Sequence, residues 1–132
     1  MLARKKIFPF YFGLLNYDTI PDPATIIPDI VHDWNPISGK VTLNSGNVVV
    51  LKDSIGNKNL IQNTGANQPI WNASDANFGG KPSMTFDGVN DYLVNTTLSQ
   101  SQPVTIYAVF KFNTISAGGI FGDNTNNYNQ LF

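Results

Sequence analysis

The sequence predicts an all-β domain, a sandwich or barrel of antiparallel strands. Three observations predict it. No stretch sets apolar residues at helical spacing between caps. Short β-branched or aromatic runs alternate with clusters of Gly, Asn, Asp and Pro, the punctuation of strands and turns. All nine acidic residues are aspartate, with no glutamate anywhere, and aspartate favours turns and caps where glutamate favours helices.

Residues 1–30 form a region apart. "MLARKKIFPFYFGLL" has the basic start and apolar run of a short signal peptide. Pro9 interrupts that run, however, and no small-x-small cleavage pattern follows. The run is far shorter than the roughly 20 residues a transmembrane helix needs. Pro9, Pro21, Pro23 and Pro28 disfavour helix at themselves and at the residues before them. The region is therefore read as an extended arm. Phe8, Phe10, Tyr11, Phe12, Leu14 and Leu15 are costly to leave in water. They pack either on their own domain or, as a docking arm, on other protein subunits of an oligomeric assembly.

The second region, 31–132, carries the strands. "NVVVLKD" (Asn47 to Asp53) is a β-branched run with a polar exit. "SIGNKN" is a turn, with Gly56-Asn57 suited to positive φ. "NLIQN" and "QPIW" are short apolar pieces separated by "TGAN". "FGGKP" is another turn. "SMTFD" begins a strand with Met84 and Phe86 on one face and Ser83 and Thr85 on the other. "PVTIYAVFKF" (Pro103 to Phe112) is the clearest element: Val104, Ile106, Ala108, Phe110 and Phe112 alternate with Thr105, Tyr107, Val109 and Lys111. That period predicts a central strand with one face fully buried. "GGIFGD" reads as a short strand between glycines, and "YNQLF" as the start of another.

"FDGVNDYLV" places two aspartates between strands. Asp-Gly is a turn signal: the carboxylate accepts nearby backbone N–H groups and glycine takes positive φ. Asn90 and Asp91 can close the loop with side-chain bonds. The turn reading is preferred over a calcium site, since two aspartates do not supply the six to eight oxygens calcium takes. Tyr92-Leu93-Val94 then begins the next strand.

These pieces in order resemble the laminin G-like, concanavalin A-like lectin/glucanase superfamily, especially bacterial and phage members. The matching stretches are "VHDW", "VVVLKDSIGNKNLIQNTGANQPIW", "FGGKPSMTFDGVNDYL", "PVTIYAVFKF" and "GGIFGD", from about Val31 to Phe132. The resemblance implies an antiparallel jelly-roll sandwich. Family domains continue with several more strands, so the chain is read as the N-terminal part of such a sandwich. The alternative is completion by strands from partner chains.

Composition narrows the function. Hydrophobic residues make up 42% and charged residues 13%, the latter about half the usual roughly 25%. A net charge of −1 with no dense basic face gives nucleic-acid binding little support. The absence of cysteine excludes disulfides, thiolate zinc sites and thiol catalysis. Glucanases of the resembled superfamily use paired glutamates, which this chain lacks, so an enzyme is not expected. One histidine, His32, without a G-x-S-x-G motif gives no serine hydrolase, and His32 is read as structural. No metal or cofactor is implied.

Binding stays open. Lectin-like sites stack aromatic faces on sugars while Asn and Asp bond hydroxyls. Trp71, Tyr92, Asp123, Asn124 and Tyr128 are the candidates, with Trp34, Asn72 and Asp75 as further possibilities. The bland alternative for Trp34 and Trp71 is core packing at strand ends. "GDNTNNYNQ" (Gly122 to Gln130) is the most polar loop. Asn72-Ala73-Ser74 and Asn95-Thr96-Thr97 fit the glycosylation acceptor pattern, relevant only in a eukaryotic secretory setting. The expected function is a non-catalytic structural or interaction module of a large extracellular or virion assembly, such as a phage particle. The alternative is a carbohydrate-binding module, with surface glycans as partners, on a secreted or cell-surface bacterial protein.

Overall fold

The structure, a computed structural model, describes residues 29–99, 103–113 and 120–122. Contacts within the chain divide it into two units, Met1–Ile30 and Val31–Phe132. Only Asp29 and Ile30 of the first are among the described residues, so the arm residues Phe8 to Leu15 lie outside them. Every described strand belongs to the second unit.

Five strands form one antiparallel sheet: β1 (Val41–Asn44), β2 (Asn47–Leu51), β3 (Leu60–Ile61), β4 (Ile70–Asp75) and β5 (Lys81–Thr85). The order is β1-β2-β4-β5, with β3 also paired to β2. β2 is central because its β-branched run suits burial between neighbours. Val48 and Leu51 are buried, and so is Pro69. β1 and β2 join through Ser45-Gly46, with φ of 51° and 90°. Two positive φ values in a two-residue loop match the right-handed twist of the strands they connect. Asn44 pairs with Asn47 across that turn, and the register slips once, between Thr42 and Leu43.

β4 and β5 form the second hairpin, with Trp71 opposite Met84 and Asn72 opposite Ser83. Their connection is a 3-10 turn, Ala76–Phe78, ended by Gly79 in the left-handed region; Gly80 follows at φ 80°. Pro82 is tolerated in β5 because β5 lies at the end of the strand order, where a missing N–H costs no ladder bond. "TGAN" holds a second 3-10 turn, Gly65–Asn67, rather than plain loop.

Three expectations are corrected. Val104–Phe112 joins no strand ladder, and its side chains are exposed, Tyr107 at 75% and Val109 at 89%. Alternation encodes a face to be covered. Among the described residues no second sheet covers it, so the pattern finds nothing to bury against. For the same reason Ile120 and Phe121 in "GGIFGD" are exposed and not in a strand, and of Tyr92-Leu93-Val94 only Val94 pairs, in an isolated bridge to Ile61. The grouping of faces in β5 is the expected one, with Ser83 and Thr85 together on the side that meets Asn72, and burial falls on that polar side. Ser83 is buried while Phe86 is exposed, because the polar face is filled by hydrogen-bonding partners from β4.

Candidate functional site

The most tightly bonded polar group is Asp53, at the exit of β2. Its side chain is fully buried. Oδ1 accepts the N–H groups of Asp33 and Ile55, each at 3.0 Å. Oδ2 accepts the N–H of Lys58 at 3.0 Å and faces His32 Nδ1 at 2.6 Å. Burial alone would raise the Asp53 carboxyl; the His32 bond and those three N–H groups outweigh it and hold the carboxyl well below the usual carboxylate range. Around this centre the entry segment is stitched to the turn. Ser54 N–H donates to Asp33 O at 2.8 Å, and Trp34 Nε1 donates to Lys58 O at 2.8 Å. The rings of His32 and Trp34 stack, centroids 5.1 Å apart.

The "SIGNKN" turn is shaped by these contacts. Asn57 takes positive φ, 55°, as its type allows. Gly56 does not share it; its glycine is required by space, since a Cβ there would overlap the His32 ring and the Val31 carbonyl. A carboxylate that orients an imidazole is also the arrangement of a general base. Here three backbone donors claim the same carboxylate, which marks it as the fastener of the turn.

Three further aspartates shape loops. Asp75 Oδ2 accepts Ser83 Oγ–H at 2.7 Å, and Oδ1 accepts the N–H and side-chain amide of Asn77. Asn72 Nδ2 donates to Ser83 Oγ and Thr85 Oγ1, completing a polar row across β4 and β5. The Ser83 hydroxyl and the Asn77 N–H lower the Asp75 carboxyl. Lys111 Nζ donates to Asn77 Oδ1 and so tethers the end of the exposed segment to this turn. In "FDGVND", Asp87 Oδ1 accepts from Val89, Asn90 and Asp91 N–H at 2.8, 3.0 and 3.1 Å. Asp91 Oδ2 accepts Asp87 N–H at 2.9 Å, and Gly88 takes φ 73°. The N–H groups of Val89 and Asn90 lower the Asp87 carboxyl. The pair bends the chain as the turn chemistry requires. Among the described residues no group of three or more His, Cys, Asp or Glu could hold a metal.

Of the sequence-predicted binding residues, Trp71 and Tyr92 are among the described ones. Trp71 is half-buried on β4, its indole N–H donating to Pro36 O at 2.7 Å. Trp34 is likewise half-buried and bonded. Tyr92 exposes about half of its surface, and its backbone is tied to Asn67 and Gln62. Asp123, Asn124 and Tyr128 lie outside the described residues. An open groove of about 480 Å³ runs between β3 and the 94–97 segment. Asn63, Thr64 and Thr96 line it along with Ile61 and Val94, and the described lining includes no charged side chain. Sequence reasoning missed this groove, because Val94 and Ile61 are far apart in the chain and only the bridge between them creates it.

Both glycosylation-type asparagines have their amides engaged: Asn72 inside the polar row, Asn95 by donating to Asn59 O at 2.8 Å. No helix among the described residues is long and apolar enough to cross a membrane. A comparison with protein-family models finds no match, and comparisons with curated proteins and with solved structures find none either.

Proposed function

We propose that this chain is a non-catalytic structural or interaction module of a large assembly, extracellular or in a phage virion. It would display a lectin-like jelly-roll domain on an N-terminal arm. The observation that carries this reading is the exposure of Val104–Phe112. The alternating, exposed side chains of Thr105–Phe112 suit strand addition, which joins subunits through main-chain bonds and alternate side-chain pockets. Burying one such side chain is worth roughly 1.5–3 kcal/mol, so several together offset the several kcal/mol of lost freedom on association. The occupant is a strand from another subunit of the assembly. The virion setting rests on the sequence resemblance alone.

Sizing of the purified chain by light scattering tests this. The expected result is a multimer that Tyr107→Asp with Val109→Asp weakens at least about a hundredfold in association, with unchanged circular dichroism. A chain that stays monomeric at every concentration overturns it.

The second reading is carbohydrate binding. It is favoured by the groove of uncharged amides and hydroxyls, groups that match sugar hydroxyls as donors and acceptors, together with the half-exposed Tyr92. Glycan-array binding lost on Tyr92→Ala or Thr96→Val supports it; an empty array removes it.

A further inference from the structure

We propose that the Asp87-Gly88 bond is a latent isoaspartate site, which the folded loop keeps unreactive and Asp91 guards. In this reaction the Gly88 backbone nitrogen attacks the Asp87 side-chain carbonyl carbon. A C–N bond forms, a carboxyl oxygen leaves with two protons as water, and a five-membered succinimide results. Water then opens the ring at either carbonyl, which restores aspartate or leaves the backbone running through the Asp87 Cβ. Water is the only co-reactant.

The site exists because residue 88 is glycine. It has no Cβ to shield the attacking nitrogen, and nothing stands within 4 Å of where one would be. The loop is exposed, so solvent reaches both atoms. Three features oppose the reaction in the folded chain. Turning the Asp87 carboxyl toward its own backbone would break the bonds from Val89, Asn90 and Asp91 N–H together. Those bonds favour the carboxylate over the neutral acid, and the neutral acid is the form that readily loses its oxygen as water. Asp91 Oδ2 closes the loop from the other side by holding Asp87 N–H. An isomerised Asp87 would add one atom to the backbone and remove the acceptor on which the turn is built. The link from β5 to the Val94 bridge would then lose its register.

The test uses the full chain at mildly acidic pH, below its unfolding temperature, with isoaspartate at residue 87 followed by peptide mapping. Three samples are compared: native chain, chain held unfolded in urea, and native Asp91→Ala. The native chain is expected to accumulate the β-linked product several-fold more slowly than the unfolded chain, with Asp91→Ala between them. Equal rates in native and unfolded chain overturn the proposal. A folded Asp91→Ala that reacts as slowly as the native chain removes the guarding role of Asp91. If that variant does not fold, the native-against-urea comparison alone decides.

Discussion

Asp53 holds three backbone N–H groups and one imidazole with a single buried carboxylate. Asp53→Ala leaves those donors without their acceptor, and chemical denaturation should show a loss of about 3 kcal/mol. The pH dependence has a definite sign. The carboxyl titrates lower in the folded chain than in the unfolded one, so on acidification the unfolded state takes up its proton first. Stability from Asp53 is therefore complete above about pH 4, the ordinary aspartate range, and is lost as pH falls through the lower folded value. Urea midpoints measured through the acid range should decline for the native chain and flatten in Asp53→Asn. At this scale the sequence is only half legible. "D-x-x-G-N" announces a turn, but that Asp53 is paired to His32 depends on residues 21 positions apart. Local spacing carries no record of that contact.

The two hairpins and the Asp53 turn use glycine for different reasons, and substitution separates them. Gly46 sits at φ 90° with open space around it, so Gly46→Ala carries only the conformational cost of the left-handed region, about 1–2 kcal/mol. Gly56 has no such φ, but its Cβ would strike a backbone carbonyl that cannot move aside; Gly56→Ala should cost about 1–3 kcal/mol through overpacking. Gly56→Ala should also disturb the His32 imidazole resonances in NMR spectra, whereas Gly46→Ala should leave them in place. β2, the start of β5 and the Asp87-Gly88 turn are readable in the sequence, because β-branched runs and turn dipeptides act locally. β1 is not, since "VTLN" is too short and too polar at its end to stand out, although Ser45-Gly46 is the kind of dipeptide that marks its hairpin. The burial of the Ser83 face is not legible in the sequence, since alternation shows which residues share a face and not which face finds partners.

For the whole molecule, the described sheet has a small core, with Val48 and Leu51 its buried apolar residues. The richest apolar stretch of the second unit, Val104–Phe112, is exposed instead. The sequence pattern locates that stretch but assigns it a burial that needs a second layer, and a second layer is a property of the assembly of strands, not of any one of them. The proposed role depends on this: the segment is the surface through which the module joins its neighbours. Hydrogen exchange at Tyr107–Phe112, followed by mass spectrometry as protein concentration is raised, tests it most directly. The account predicts rapid exchange in dilute monomer and protection that grows with association, with the growth abolished in the Tyr107→Asp, Val109→Asp variant. Protection already complete in a dilute monomer, unchanged by concentration, would contradict it.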